Sequence, residues 1–296
     1  MRRNSWPRPA DARHLRRLGI RFLKRWGIES PALEASLLLS HAAQRDRTFG
    51  FAAGRGDVLD PEAHRRYREL LRRRAQGVPL AYLLGRAEFY RFRVRVGPGV
   101  LIPRPETELL LEVALDLTKA TPPSPEGGFR WGDAGTGSGI LGIGLALSRP
   151  GDEVWLWDRD PRALSFAAAN AWELGLARQV RLLKGGWWPA FPLRFTGVVA
   201  NPPYLSLADW EKAAREVRQE PMGALVAGAT GLEALEEVVK GAPPHLYPGG
   251  FLAVEIGAGQ EKAVVGYLEA AGFEDVFYKR DGAGIPRVVA GRWPGG

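Results

Sequence analysis

The hydrophobic pattern of the chain changes near residue 129. Before this point apolar residues recur mainly at helical spacing, as in ALEASLLLSHAA and PEAHRRYRELLRRRAQG. The second stretch carries Asp60 as an N-cap, Pro61 in the first turn and Gly77 as a stop signal. These signals predict helices within residues 12–75.

A β-hairpin is predicted after this helical region. Phe92, Val94 and Val96 alternate with arginines, which is the period of a half-exposed strand. A Gly-Pro-Gly turn then leads to residues 100–102, which we interpret as the second strand. A further helix is predicted from near Pro105, in PETELLLEVALDLTKA, and a loop follows it.

From residue 129 onward, short apolar runs alternate with helical patterns. The runs are FRWGDAG, EVWLWD, VRLLKG, TGVVAN, FLAVEIG and FEDVFYK. This alternation predicts an α/β fold, a doubly wound, mostly parallel, seven-stranded Rossmann-like sheet. We therefore divide the chain into a helical domain (1–80), a hairpin linker (81–108) and an α/β domain (109–296). Ligands of such sheets bind at the carboxyl ends of the strands.

Composition excludes several classes of chemistry. No run approaches the ~18 consecutive apolar residues of a membrane span, and the amino terminus lacks the apolar segment of a secretory signal. The absence of cysteine excludes disulfides, thiolate metal sites and a cysteine nucleophile. The four histidines are scattered without ligand spacing, so we expect no metal. These features predict a cytoplasmic protein.

The net charge of +8 is concentrated in the N-terminal third. Residues 1–80 contain 18 Lys and Arg against 8 Asp and Glu, whereas the remaining residues contain 23 against 25. A solvated helical surface would explain this surplus equally well as attraction to nucleic acid or to an acidic protein.

The stretch DAGTGSG predicts a ligand-binding glycine loop. Asp133 ends a strand, and Gly135 to Gly139, with Thr136 and Ser138 between the glycines, lead into a helix whose N-terminus suits an anion. Gly137, Gly139 and Gly142 also satisfy the weak dinucleotide pattern G-x-G-x-x-G. Asp158, 23 residues after Gly135, could accept hydrogen bonds from ribose hydroxyls. Both a nicotinamide dinucleotide and S-adenosylmethionine contain such a ribose, so this loop leaves both open.

The tetrapeptide Asn-Pro-Pro-Tyr distinguishes these cofactors. Pro202 and Pro203 fix the backbone after a buried strand, so the Pro202 carbonyl and the Asn201 side-chain oxygen become two fixed acceptors. Two such acceptors suit a planar NH₂ group, and the Tyr204 ring can lie against its plane. The arrangement predicts recognition of an amide or an exocyclic base amine, which a nicotinamide enzyme does not need.

The chain resembles the HemK/PrmC family of protein-glutamine methyltransferases. The segments that carry the resemblance are GVPLAYLLGRAEF, VLIPRPETELLLE, DAGTGSG, NPPY, EVRQEPMGALVAGATGLEAL, PGGFLAVEIGAGQ and DGAGIPRVVAG. They cover nearly the whole chain in family order. Members methylate the glutamine amide of the Gly-Gly-Gln motif in class I peptide release factors, using S-adenosyl-L-methionine and releasing S-adenosyl-L-homocysteine.

The resemblance implies roles for individual residues. The glycine loop, Gly135 to Gly139, would hold the methionine part of the cofactor, Asp158 its ribose and Trp187 its adenine, and Asp133 is a further expected cofactor-binding residue. Residues 201–204 would bind the glutamine amide, with Asn201, Pro202 and Tyr204 acting in catalysis, and Asn201 would also contact the cofactor. The remaining cofactor residues are in the segment expected to close over the pocket: Arg104 and Thr107. From its basic charge we also expect the helical domain to dock the release factor.

Three positions depart from the family pattern. Gly186 replaces an acidic residue before the tryptophan, Thr196 replaces an aspartate that many members have, and Gly142 adds a glycine to the first helix of the α/β domain. None of them lies in the Asn-Pro-Pro-Tyr stretch.

Two alternatives remain at this stage. An adenine-N6 DNA or RNA methyltransferase would use the same acceptors on a flipped base, with the basic third on phosphates. A non-catalytic protein that binds RNA or ribosomes would retain only the fold. Release factors are the expected partners, and nucleic-acid contact is compatible with this assignment but not required by it.

Overall fold

The computed structural model describes residues 10–54 and 56–295. Residues 1–9 of the predicted helical domain therefore lie outside the described part of the chain. The chain forms two compact units, which we call the N-terminal unit and the α/β unit.

The N-terminal unit comprises the described residues up to Gly85 together with Arg215–Gln219. Two short strands pair antiparallel: β1 (Ala10–Asp11) and β2 (Val58–Leu59). The helices of this unit are α1 (Ala12–Arg25), α2 (Pro31–Ala42), α3 (Phe49–Ala52), α4 (Pro61–Ala75) and α5 (Leu80–Leu84), with a 3-10 turn at Val217–Gln219.

The capping predictions for α4 are confirmed. The Asp60 carboxylate accepts hydrogen bonds from the backbone N–H groups of Glu62 and Ala63, and Pro61 occupies the first turn. One face of the helix is apolar and packs on α1 and α2, where Tyr67 is fully buried and donates to the Ala35 carbonyl. The opposite face of α4 carries arginines.

The α/β unit contains the remaining described residues. Its helices are α6 (Thr107–Leu117), α7 (Ile140–Ser148), α8 (Pro161–Glu173), α9 (Leu207–Lys212), α10 (Glu233–Gly241) and α11 (Glu261–Ala270), with 3-10 turns at Thr118–Ala120, Met222–Ala224 and Pro243–His245. Its strands are β3 (Arg86–Phe89), β4 (Phe92–Arg95), β5 (Arg130–Ala134), β6 (Glu153–Asp158), β7 (Val180–Lys184), β8 (Phe195–Ala200), β9 (Leu205–Ser206), β10 (Val226–Gly228), β11 (Leu246–Glu255), β12 (Glu274–Arg280) and β13 (Pro286–Arg292).

Among the described residues, seven strands form the central sheet, in the order β12-β13-β11-β8-β5-β6-β7. Strand β13 is antiparallel to both neighbours, and the other pairs are parallel. The fold-class prediction is confirmed, and the six predicted runs correspond to β5, β6, β7, β8, β11 and β12. Strand β8 is buried at every position, as expected for a parallel strand covered on both faces.

The predicted pairing of the hairpin is wrong. Strand β4 pairs with β3, which precedes it, and not with residues 100–102, which form no strand. The turn is at Tyr90-Arg91, where Tyr90 adopts a φ of 51°. Glu108 stabilises this turn because its Oε1 accepts from the Tyr90 N–H (2.8 Å).

The order of the strands in the sheet indicates where a ligand site is expected. Strand β5 lies between β6 and β8, so the chain leaves β5 at the point where successive connections turn to opposite sides of the sheet. Gly142 on α7 allows close packing here, since a Cβ at this position would lie 2.5 Å from Leu156 Cδ1 on β6. The added glycine noted in the sequence therefore has a packing reason.

No helix within the described residues is both long enough and apolar enough to cross a membrane. The same residues contain no group of three or more His, Cys, Asp or Glu side chains that could hold a metal ion.

Candidate active site

A cavity of about 560 Å³ lies at the carboxyl edge of the sheet, within the α/β unit. Loops after β5, β6, β7 and β8 line it, together with parts of the segments 99–107 and 221–224. The predicted site residues in its wall are Arg104, Thr107, Asp133, Gly135, Thr136, Gly137, Ser138, Asp158, Trp187, Asn201 and Pro203. Gly139, Pro202 and Tyr204 are not among the lining residues.

The glycine loop presents backbone to the cavity. Gly135, Gly137 and Gly139 adopt φ angles of 69°, 56° and 88°, which other residues rarely reach. A Cβ on Gly135 would lie 2.8 Å from the Trp187 ring. Glycine at this position therefore lets the loop lie directly against Trp187.

Asp133 fixes the glycine loop through two hydrogen bonds. Its Oδ2 accepts from the Thr136 hydroxyl (2.6 Å) and from the Gly142 N–H (2.9 Å). The residue is almost fully buried, and burial raises the pKa of its carboxyl to about 6 against the lowering effect of these two hydrogen bonds. Because both contacts are internal, Asp133 acts mainly by fixing the loop. Ser138 is likewise buried, and its carbonyl accepts from Asn170 Nδ2 (2.9 Å).

Asp158 joins the glycine loop to the start of α8. Its Oδ2 accepts from the Gly137 N–H (3.0 Å), and its Oδ1 accepts from the Asp160 N–H (2.9 Å). Asp160 is itself the N-cap of α8. Burial is the main cause that raises the pKa of Asp158, and the nearby charge of Asp160 adds to it. Each carboxylate oxygen keeps a second lone pair, so Asp158 can accept from hydroxyl groups in the cavity.

The Asn-Pro-Pro-Tyr stretch leaves β8 beside the glycine loop. Asn201 Nδ2 donates to the Thr107 hydroxyl (3.1 Å), an orientation of the amide assigned from this hydrogen-bond network. Among the described residues, neither Asn201 Oδ1 nor the Pro202 carbonyl has a hydrogen-bond partner. Two unused acceptors therefore lie at the end of β8.

Glu255 is a site residue that the sequence analysis missed. It ends β11 and is 1% exposed, one residue beyond the pairing of Val254 with Ala200. Burial raises the pKa of Glu255 to about 7; hydrogen bonds from Thr107 and Asn201 and the charge of Arg287 oppose this shift, and Glu106 adds to it. Thr107 accepts from Asn201, whereas Glu255 Oε2 is buried without a hydrogen-bond partner among the described residues. The sequence signal that could have identified Glu255 is its position as a carboxylate inside the otherwise apolar run FLAVEIG.

Tyr204 lies further along the same loop. Its backbone carbonyl accepts from Gln260 Nε2 (3.1 Å), and its ring is close to Gly257, since a Cβ there would be 3.2 Å from Tyr204 Cδ2. Burial and the charge of Glu255 raise the pKa of Tyr204 to about 12. The phenol is therefore neutral at physiological pH.

Arg104 is held by a second missed residue, Glu220. The Glu220 side chain is 2% exposed; its Oε1 accepts from Arg104 Nη2, and its Oε2 accepts from the Ile102 N–H (2.9 Å). This pair fastens the segment before α6 to the segment 221–224, and both segments line the cavity.

The two remaining departures have different surroundings. A Cβ on Gly186 would meet no described atom within 4 Å, and the acidic residue Glu237 of α10 lines the same cavity. Thr196 lies near the amino end of β8, where its hydroxyl accepts from the Arg130 N–H (3.0 Å). The substitution at residue 196 therefore lies at the other end of the strand from Asn201.

Comparison with known proteins identifies related families and relatives. Residues 14–85 match the PrmC N-terminal domain family, and residues 123–220 match the methyltransferase small domain family. The release factor glutamine methyltransferase of Burkholderia pseudomallei is 41% identical over 89% of this chain and 93% of its own length. The protein of the same name from Salmonella typhimurium is 38% identical over 90% of this chain and 93% of its own length.

The chain belongs to the release factor glutamine methyltransferase family. The family resemblance predicted from the sequence is confirmed, and the chain is a methyltransferase.

Solved structures also share the fold. The hMettl16 catalytic domain, in complex with a 3′UTR hairpin, superposes with a TM-score of 0.54 at 17% identity, over 86% of this chain and 90% of that chain. A second structure of the same domain gives a TM-score of 0.55 at 16% identity over 67% of this chain and 75% of that chain. At this identity the likeness concerns the fold alone.

Proposed function

We propose that this protein transfers a methyl group from S-adenosyl-L-methionine to the side-chain amide nitrogen of the glutamine in the Gly-Gly-Gln motif of class I peptide release factors. The observation that carries the proposal is Asn201, whose amide nitrogen is engaged by Thr107 while its oxygen stays unused beside the cavity. Family membership supports the same substrate.

The cavity fits the cofactor. The positive φ angles of the glycine loop and the open space beside Gly137, where a Cβ would meet no described atom within 4 Å, make room for a ligand against the backbone. We assign the loop to the methionine part, Asp158 to the ribose hydroxyls and Trp187 to the adenine face. Arg104 and Thr107 complete this side of the site, with Thr107 acting through Asn201.

Substrate recognition would use acceptors, because a carboxamide NH₂ offers two donors in one plane. Asn201 Oδ1 and the Pro202 carbonyl are the two acceptors, and the prolines restrict the backbone that carries them. We assign Tyr204 to the face of the amide. Pro203, which lines the cavity, excludes water there.

An amide nitrogen is a poor nucleophile because its lone pair is delocalised into the carbonyl. The cofactor supplies an activated methyl group on a sulfonium. The protein residues contribute by holding the nitrogen in line with that methyl group and by placing acceptors where positive charge develops. The Glu255 carboxylate, which Thr107 and Asn201 both influence, adds negative charge behind these acceptors.

Mass spectrometry tests the proposed function. Purified protein, S-adenosylmethionine and a release factor are expected to give a single methyl group on the Gly-Gly-Gln glutamine. A release factor with glutamate at that position should remain unmodified. Methylation of adenine in DNA or RNA, with the release factor unmodified, would contradict the proposal.

Asp158→Asn is expected to weaken S-adenosylmethionine binding about tenfold, the scale of one hydrogen bond to a charged group. An asparagine must turn its NH₂ toward one of the two backbone N–H donors that Asp158 now accepts. Calorimetry measures the affinity. Asp116→Asn removes the same charge from a surface residue paired with Lys119 and serves as the control. Equal affinities for the two variants would contradict the assigned role.

A further inference from the structure

A second cavity, of about 660 Å³, lies within the N-terminal unit. It is formed by the end of α2, the residues that follow it and the outer face of α4. Six of its eleven lining residues are arginines, and one is acidic. We call it the arginine groove; its arginines are Arg45, Arg65, Arg66, Arg68, Arg72 and Arg73.

The groove arginines differ from a structural arginine on the same helix. Arg74 is 4% exposed and pairs with Glu34 and Glu216, so its charge is neutralised inside the unit. In contrast, the side chains of Arg65 and Arg72 are 80% and 58% exposed. Their guanidinium groups are therefore available to a ligand from solvent.

Acidic residues neutralise only part of the groove. Glu62 pairs with Arg66 (3.2 Å) and lies 3.9 Å from Arg65, and Glu69 lies 3.7 Å from Arg72. Among the residues that line the groove, arginines outnumber acidic side chains by six to one. Burial lowers the pKa of His41, and the positive charge of Arg66 lowers it further.

We propose that the arginine groove binds the phosphodiester backbone of nucleic acid, independently of base sequence. Guanidinium groups match phosphate oxygens in a planar, bidentate way. Arg65, Arg68 and Arg72 follow one another at about one helical turn, which spaces positive charges by roughly 5 Å along α4. A nucleic-acid strand offers a continuous ladder of charges to such a row, whereas a peptide does so only with a run of acidic residues.

The composition of the groove indicates backbone contact and not base contact. No Phe, Tyr or Trp is among its lining residues, so it lacks the large aromatic rings on which bases stack. The positive surplus also extends over residues 1–80, which favours a long polyanion over a single phosphate group. This proposal does not depend on methyl transfer by the α/β unit.

Fluorescence anisotropy of the full-length protein with a labelled oligouridine of about 20 nucleotides tests this inference. Binding is expected at about 50 mM salt and to weaken toward about 200 mM, with a log–log slope near −0.7 per contacted phosphate. The triple variant Arg65→Ala/Arg72→Ala/Arg73→Ala should bind at least tenfold more weakly, with a slope smaller by about 2. A DNA oligonucleotide of equal length, measured in the same way, distinguishes binding of an RNA backbone from binding of a DNA backbone.

A matched variant controls for net charge. Arg13→Ala/Arg21→Ala/Arg25→Ala removes three exposed arginines of α1 in the same unit and should change affinity less than threefold. Thermal melting checks that both triple variants fold. Equal weakening by the two triple variants would contradict the assignment of nucleic-acid binding to the arginine groove. Labelled polyglutamate that binds the wild type as tightly as the oligonucleotides would overturn the nucleic-acid proposal in favour of an acidic protein partner.

Discussion

Replacing Asn201 with alanine is expected to lower the rate of glutamine methylation by about 100-fold or more. This is the scale observed when one preorganised electrostatic contact to a reacting group is removed. The variant loses the Oδ1 acceptor beside the cavity but keeps the glycine loop, Asp158 and Trp187. The rate at saturating substrates is therefore expected to fall, while S-adenosylmethionine still binds measurably by calorimetry.

A double-mutant cycle with Thr107 separates positioning from general damage. Thr107→Val keeps the side-chain shape but removes the hydroxyl that accepts from Asn201 Nδ2. Alone it should slow methylation about tenfold, the scale of a lost hydrogen bond. In the Asn201→Ala background it should have little further effect, because Thr107 acts through Asn201. Additive losses, or an Asn201→Ala variant with the wild-type rate, would contradict the assigned roles.

Much of the α/β unit could be predicted because its signals are local. Strands β5, β6 and β8 are short apolar runs, and each is followed by residues that stop pairing or begin a helix. The glycine loop and the two prolines restrict backbone angles directly, so their placement at strand ends follows from the sequence.

The errors have a common origin in long-range pairing. Residues 100–102 have apolar character suited to a strand, but β4 pairs with β3 through a turn at Tyr90. Strand β13 was not assigned to a segment because its antiparallel position between β11 and β12 depends on tertiary pairing. No local pattern reports which strand lies next to which.

Glu220 and Glu255 were missed for a related reason. Glu220 acts 116 residues after Arg104, and Glu255 reaches Asn201 only because β8 and β11 are neighbours in the sheet. Each residue is ordinary in its local sequence. Its importance comes from burial, which makes the charge of a carboxylate costly and sensitive to its few neighbours.

Glu255→Gln is expected to slow methylation about 30-fold at pH 8. The variant keeps the size of the side chain and an oxygen for Thr107 but removes the negative charge. A unit charge at about 7 Å, with an effective dielectric constant of about 20, contributes about 2 kcal/mol, and this is about 30-fold in rate. Methylation of a short Gly-Gly-Gln peptide at saturating cofactor measures the effect.

The raised pKa of Glu255 determines how the methylation rate should change with pH. Because the pKa of Glu255 is raised to about 7, its carboxylate is charged above pH 7 and protonated below. The wild-type rate should therefore rise with pH through about 7, whereas the rate of Glu255→Gln should stay near the wild-type value at low pH. If the methylation rate of Glu255→Gln still rose with pH through about 7, the ionisation that controls the rate would belong to another group.

Stability should change in the opposite direction to activity. A carboxyl group whose pKa rises from 4.5 to about 7 on folding stabilises the protein in its protonated form, and this contribution is lost as the pH rises through about 7. The penalty at pH 8 is about 3 kcal/mol, from about 1.4 kcal/mol per pKa unit. Glu255→Gln should thus be more resistant to denaturant than the wild type at pH 8 and similar to it at pH 5. A slower but more stable enzyme would indicate that Glu255 is retained for its charge beside Asn201, whereas a less stable variant would indicate a purely structural role.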